Sequence, residues 1–354
     1  AKAGVNPGDV GKVFMGNVLS AGVGQAPARQ ASLGATIPDS VPCTTVSKVC
    51  GSGMKALMIG ADTLSMGHAK IVVAGGMESM TNAPYLLPKA RGGYRYGHAM
   101  MYDHMAQDGL EDAYERGTAM GVFAERTVEK YGFTRKDQDD FAIESLARAK
   151  KANEDGSFAF EITPVEITGK AGVEKLDKDE GPMKAKPEKI PSLKPAFKKD
   201  GTITAANASG ISDGAAAIVM MSESEARQRG IKPLAKILAH ATHARLPAEF
   251  TIAPVSAIKT VLEKTGWTAS DVDLWEINEA FAVVTMAAMK EHKLPHSKVN
   301  IHGGACALGH PIGASGARIL ATLIGALKKT GGKKGIATLC IGGGEAVAVA
   351  IEMT

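Results

Sequence analysis

The sequence predicts a layered α/β fold made of two similar halves with a large insertion between them. Three observations carry this expectation. Short apolar runs alternate with segments of helical periodicity, the signature of strands and helices stacked in layers. The neighbourhood of Cys50 is echoed near His310: Ser52-Gly53-Met54-Lys55-Ala56-Leu57 parallels Ser315-Gly316-Ala317-Arg318-Ile319-Leu320. Each of these runs follows a chemically capable residue, starts a helix and leads to an apolar strand that reaches glycines. Finally, charge density rises and strand signals fade from Thr81 to about Ser209, where prolines and Lys/Glu runs appear.

In chain order, Val10–Val18 reads as a buried strand and Pro27–Leu33 as an alanine-rich helix. Pro42–Val49 is a second extended run that delivers Cys50 into Cys-Gly-Ser-Gly, and Met54–Leu64 is helical. Ile71–Ala74 is a short strand that ends in Gly75-Gly76-Met77-Glu78. Two helices are expected in the insertion, near Gly117–Tyr131 and Arg135–Asn153, the second opened by Thr134 and Asp137 as a capping pair. Ala215–Ser222 returns as a core strand, and a second α/β set begins near Lys232. The expected organisation is 1–80 plus 210–231 as one half, 81–209 as an inserted domain, and 232–354 as the other half.

Composition narrows the function classes. The 354 residues suffice for two or more domain-like units by the usual size of about 100–200 residues each. The chain is 45% hydrophobic and 22% charged, as in globular proteins, and no apolar run approaches the roughly 18 residues of a membrane span. A net charge of +4 is too small to argue for nucleic-acid binding, and no partner of that kind is expected. The four cysteines, Cys43, Cys50, Cys306 and Cys340, form no Cys-x-x-Cys pair, and none of the nine histidines belongs to a His-Glu-x-x-His run. No metal site is expected, and the cysteines are free for chemistry in a reducing compartment. Walker A and Gly-x-Gly-x-x-Gly runs are absent, so nucleotide cradles of those kinds are not expected.

The C-terminal stretch from Val299 to Ala350 holds a histidine beside a proline in a glycine-rich loop, Gly309-His310-Pro311. It also holds a cysteine that closes an apolar strand before three glycines, Cys340-Ile341-Gly342-Gly343-Gly344. Such a turn places backbone N–H groups beside a reactive side chain, the combination that acyl transfer uses. Cys50 stands at a strand-to-helix turn, where the helix dipole and unpaired N–H groups lower a thiol pKa from about 8.5. A buried structural cysteine suits the same position. Asn278-Glu279 follows the apolar run Val272–Ile277, where it reads equally as a site pair or a helix cap. The basic run Lys184–Lys199 around Phe197 reads as a solvated face or as a partner for ligand phosphates. Asn207-Ala208-Ser209 matches the glycosylation sequon, incidentally for an intracellular chain.

Taken together, Lys48–Gly53 (KVCGSG), Ala74–Met80 (AGGMESM), Asn207–Ala217 (NASGISDGAAA), Asn278–Ala282 (NEAFA), Gly303–Arg318 (GGACALGHPIGASGAR) and Cys340–Gly344 (CIGGG) resemble, in order and spacing, the thiolase family of acyl-CoA acyltransferases. The resemblance runs over essentially the whole chain. It implies a duplicated α/β/α/β/α core, an inserted loop domain that binds coenzyme A, and a ping-pong Claisen condensation of two acetyl-CoA or its reverse, thiolysis. Cys50 is implied as the nucleophile, Cys340 as the acid/base, and His310 as the group that activates Cys50 and helps form an oxyanion hole with an Asn278-held water. The N–H groups of Cys50 and Gly342 are implied as a second hole. Ser209, Phe197, Ala205, Met120 and Phe281 match positions along the pantetheine channel. No permanently bound cofactor is implied; acyl-CoA is the substrate.

Within the family, Trp275–Asn278 and Phe250–Pro254 resemble the mitochondrial acetoacetyl-CoA branch, which makes the mitochondrial matrix the expected compartment and the cytoplasm the alternative. Ala119 stands before Met120 where that branch commonly has histidine, which opens the way to a broader 3-ketoacyl-CoA thiolase that takes longer or 2-branched chains. Gly181-Pro182 occupies the region of that branch's potassium site, near Glu180, and potassium activation is not expected. The resemblance implies homodimers or homotetramers with contacts through Lys89–His98. It also finds no counterpart, before Ala1, of the family's first strand and helix, so more natural chain is expected there. A non-catalytic CoA-binding scaffold is the alternative from another class.

Overall fold

The computed structural model describes residues 2–169 and 172–354; Ala1, where the first expected segment begins, lies outside them. The N-terminal part runs β1 (Lys12–Gly16), α1 (Pro27–Gly34), β2 (Cys43–Val46), α2 (Ser52–Ser65) and β3 (Ile71–Ser79). The intervening region holds β4 (Tyr85–Leu86), β5 (Tyr102–Asp103), α3 (Met120–Tyr131), α4 (Arg135–Glu154), the hairpin β6 (Val165–Gly169) and β7 (Gly172–Leu176), and α5 (Glu180–Lys184). The chain returns through β8 (Asp213–Met221) and α6 (Glu223–Gln228). It then continues with β9 (Ala235–Ala244), α7 (Ala253–Thr265), β10 (Leu274–Ile277), α8 (Ala282–His292), α9 (Ala305–Leu308), α10 (Ser315–Thr330), β11 (Lys334–Ile341) and β12 (Glu345–Met353).

Two four-stranded sheets form the core, in the orders β2-β1-β3-β8 and β10-β11-β12-β9. In each, parallel pairs (β1 with β2 and β3, β10 with β11) are followed by an antiparallel partner, β8 on β3 and β12 on β11. Helices α2 and α10 lie between the sheets. Met54, Leu57, Ile319, Leu320 and Leu323 pack there against Val72 and Ala74 from one sheet and Leu339, Val347 and Val349 from the other. Ala28 of α1 covers the outer face of the first sheet, and α7 and α8 cover that of the second through Ile258, Val261 and Ala288. The result is the expected α/β/α/β/α stack. Burying this much aliphatic surface, at about 25 cal/mol per Å², is the main stabilising term of the body.

The expected strand Ile71–Ala74 is longer in the structure. Gly75 and Gly76 belong to the strand, not to a turn after it. A Cβ on Gly75 or Gly76 would fall 2.0 Å from Ala216 O or Gly313 O, so these glycines mark backbone packed on backbone in the sheet interior. Residues 80–212 leave the body between Ser79 and Asp213, which are themselves a paired couple of β3 and β8. At the matching point of the other sheet, Ile341 pairs with Glu345 and only Gly342-Gly343-Gly344 intervene. Thr134 and Asp137 form the expected capping box at the start of α4.

Candidate active site

Four segments converge at the ends of the two central helices. Cys50 sits one residue before the α2 N-cap, Gly51. Its presentation is strained: Val49, β-branched, lies in the left-handed region at φ +45°, a conformation kept where a fold over-determines a functional turn. The Ser52 hydroxyl closes the turn by donating to Val49 O at 2.7 Å while accepting from Lys48 N at 2.8 Å. The Lys48 ammonium pairs with the Glu345 carboxylate and ties this turn to the opposite sheet.

The other half supplies the facing groups. The backbone N–H groups of Gly342 and of Cys50 itself lie on the side of the thiolate, favouring the charged form of Cys50. The expected lowering of the Cys50 thiol does not occur. Part of the side chain remains open to the site, but the protein surrounds it, and burial pushes the thiol up to about 11 against those two donors. Desolvation outweighs the helix dipole because the negative form loses most of its water. Cys340, fully buried, is also held well above the ordinary thiol range, first by burial and then by the neighbouring Cys50. Both cysteines are therefore thiols at rest.

His310 is buried and its pKa falls to about 3, mainly through desolvation and secondarily through the Arg318 charge. Its ring is held at both nitrogens: Nδ1 lies 2.6 Å from Ser315 Oγ and Nε2 lies 3.4 Å from Asn278 Nδ2. Ser315 Oγ donates to Pro311 O at 3.0 Å, so it accepts from Nδ1–H. The network thus assigns Nε2 as the bare, proton-accepting nitrogen. Asn278 Oδ1 is buried without a protein partner, an acceptor left for a ligand or water to satisfy. Ser315 escaped the reading of the sequence beyond its place in the echo. Its signal is a hydroxyl five residues after the histidine, at the first turn of a helix.

The channel residues divide into two groups. Met120, Phe197 and Phe281 join the apolar cluster that contains Cys340. Met120 reaches the Gly342 turn, where its sulfur would lie 3.5 Å from a Cβ on that glycine, and Phe197 stacks edge-on to Phe281 at 5.8 Å. Ala205 instead lines a cavity of about 820 Å³ that passes Leu146, Lys178, Lys186, Lys189 and Gly309. Ser209 lies between the two groups, with its N–H bonded to Ala280 O at 3.0 Å. The basic run is split: Lys186 and Lys189 face the cavity, whereas Lys184 and Lys198 pair with Glu180 and Glu129. Asn207 of the sequon is fully buried and bonded to Asp139. Glu279 is no helix cap: Phe281 occupies that position, and the Glu279 carboxylate is engaged by Ser145, Asn300 and Cys306. Among the described residues, no three His, Cys, Asp or Glu side chains converge as a metal site, and no helix is long and apolar enough to cross a membrane.

The thiolase N-terminal domain model matches residues 1–224 and the thiolase C-terminal domain model residues 231–353. The chain belongs to the thiolase family. Acetyl-CoA acetyltransferase 2 of Arabidopsis thaliana is 51% identical over 355 residues, covering 99% of this chain and 88% of that protein. The probable acetyl-CoA acetyltransferase of Dictyostelium discoideum is 48% identical over 352 residues, covering 99% and 85%. Among solved structures, the Acat5 thiolase from Ascaris suum in complex with coenzyme A superposes with a TM-score of 0.93 at 45% identity, covering 99% of this chain and 89% of that one.

Proposed function

We propose that this thiolase is an acetyl-CoA C-acetyltransferase that condenses two acetyl-CoA to acetoacetyl-CoA and CoA and runs the reverse thiolysis. The observation that carries the reading is the buried His310 ring held by Ser315 and Asn278 with Nε2 bare, in a site that also holds the Cys50 thiol and, neighbouring it, the buried thiol of Cys340. In thiolysis, His310 Nε2 takes the Cys50 proton as sulfur attacks the β-carbonyl of acetoacetyl-CoA. The oxyanion forms against fixed donors, each worth about 2.7–4 kcal/mol in such sites. Cleavage of the carbon–carbon bond releases the enolate of acetyl-CoA, which the Cys340 thiol protonates at carbon. Incoming CoA–SH gives its proton to the Cys340 thiolate, and its sulfur takes the acetyl group from Cys50. Cys50 regains its proton from His310. A neutral imidazole leaves Nε2 open to the Cys50 proton, and every proton in this sequence moves inside the site.

Asn278, with its unpartnered Oδ1, holds a water for the enolate's oxyanion in this reading, beside His310. The pantetheine arm passes Met120, Phe197, Phe281 and Ser209, and the cavity with Ala205 and the lysines takes the nucleotide end. Ala119, at the α3 N-cap beside Met120, adds no side chain beyond its Cβ, which supports tolerance of a branched or longer acyl chain as the second reading. The exposed Tyr85, Leu87, Tyr94, Tyr96, Met100 and Met101 on residues 85–101 support assembly into homodimers or homotetramers through that arm. The deciding experiment is incubation with acetyl-CoA and intact-mass measurement. One acetyl group on the wild type and none on Cys50→Ser is expected; an unmodified wild type overturns the proposal. Thiolysis rates with acetoacetyl-CoA, its 2-methyl derivative and a long-chain 3-ketoacyl-CoA then separate the two readings.

A further inference from the structure

The loop that carries His310 is held at both ends by buried carboxylates that touch none of the reacting atoms. At its start, the Glu279 carboxylate takes Cys306 N at 3.0 Å, Ser145 Oγ at 2.7 Å and Asn300 Nδ2 at 2.8 Å. Ser145 Oγ in turn accepts from Gly304 N at 2.9 Å. At its end, Glu78, from the other half of the body, takes Gly313 N at 2.9 Å and Val18 N at 3.0 Å on Oε2. Its Oε1 takes Asn17 Nδ2 at 2.9 Å and Leu19 N at 3.1 Å.

The loop is built for these contacts. A Cβ on Gly304 would stand 2.3 Å from the Glu279 carboxylate, and one on Gly313 would stand 2.7 Å from Glu78 Oε2. Glu78 and Glu279 are 4% and 0% exposed, and a carboxylate taken out of water is retained only where donors replace the solvent. Glu78 also occupies a telling place in the duplicated plan. It is the penultimate residue of β3 and pairs with Gly214, just as Cys340 is penultimate in β11 and pairs with Ala346.

We propose that Glu78 and Glu279 are positioning residues for the thiolase reaction, a two-point clamp that draws the His310 loop onto both halves and fixes the imidazole against Cys50. The inference rests on the roles proposed above for Cys50 and His310. The amide of glutamine preserves shape but turns one acceptor into a donor. At Glu78 either orientation sets an NH₂ against two N–H groups; at Glu279 the amide can face Asn300 alone. Glu78→Gln is therefore the more damaging change.

The test uses the full chain with Glu78→Gln, Glu279→Gln and, as a control, Glu225→Gln. Glu225 is a buried carboxylate of α6 bonded to Arg229. Thiolysis kcat falls about 10²-fold for Glu78→Gln and about tenfold for Glu279→Gln, as misplacement of a catalytic group by an ångström or so implies, with KM for CoA within about threefold. Iodoacetamide alkylation of Cys50, which needs no CoA site, slows with them. Glu225→Gln loses melting temperature only. If all three variants lose melting temperature while kcat and alkylation stay at wild-type values, the clamp is structural and the proposal is overturned. Should the glutamine variants fail to fold, Ser145→Ala and Asn17→Ala each remove one clamp contact; an unchanged kcat in both overturns it equally. A wild type that takes no acetyl group sinks the functional reading itself, a result distinct from an acetylating wild type with fully active clamp variants.

Discussion

The two sheets of this thiolase follow one plan and use it differently. In both, a central helix begins just after a loop with a reactive residue, Cys50 before α2 and His310 before α10. In both, the next strand folds back antiparallel. At that fold-back one sheet has three glycines and the other has residues 80–212. The short hairpin sets Cys340 and Gly342 near Cys50, whereas the long excursion brings Met120 to the Gly342 turn and adds the separate cavity lined by Lys178, Lys186 and Lys189. In the proposed reading, duplication supplies the pair of reactive loops and divergence at one turn supplies ligand contact. Catalysis and substrate contact then reside in different parts of the chain, so they can be broken separately.

The sharpest break separates the two thiols. Cys340→Ala leaves Cys50 with its donors and with His310, so acetylation by acetyl-CoA persists while condensation falls by about 10²–10⁴-fold, the usual contribution of a positioned acid/base. Cys50→Ala abolishes both steps. Intact mass reads the first step and acetoacetyl-CoA formation the second. Loss of acetylation in Cys340→Ala would assign both thiols to one step and end the division of labour between the halves.

The second break uses pH. With the Cys50 thiol near 11 and His310 near 3, the free enzyme holds a neutral pair across the physiological range. The nucleophilic thiolate then grows about tenfold per pH unit below the thiol pKa. Alkylation of Cys50 by iodoacetamide should climb steadily from pH 6 to pH 9, with Cys340, fully buried, reacting later. A rate independent of pH over that span would instead mean a resting thiolate–imidazolium pair. Burial would then have been outweighed by the charge partner.

Much of this architecture was legible in the sequence for physical reasons. Strand-to-glycine junctions are local signals, so Cys50, His310 and Cys340 stood out, as did the α4 capping pair. The helices α2 and α10 announced themselves through their shared Ser-Gly start. Three features lay beyond local reading. Gly75 and Gly76 fell outside the strand read as Ile71–Ala74, because the close approaches that make them necessary, of Ala216 and Gly313, come from distant parts of the chain. The thiol of Cys50 was expected to be acidic, because helix position is local whereas burial belongs to the folded whole. Ser315 and the paired carboxylates required the three-dimensional hydrogen-bond network to reveal what they hold.

The smallest predicted effect lies within the glycine hairpin that distinguishes the C-terminal half. Gly343 sits at φ +90° with open space around its would-be Cβ, whereas Gly342 has no positive φ, and a Cβ there would meet Met120 Sδ at 3.5 Å and Val49 Cγ1 at 3.7 Å. Gly343→Ala therefore costs about 1–2 kcal/mol of stability through left-handed strain, read as a lower denaturation midpoint with kcat little changed. Gly342→Ala incurs no such strain, because its neighbours stand at ordinary van der Waals distance. Its methyl group, however, narrows the gap between Met120 and Val49 at the Cys50 turn, so the expected loss is in acetylation rate at unchanged stability. If the two variants exchange these phenotypes, the hairpin positions Cys340 through its strain and not through the room it leaves at Gly342.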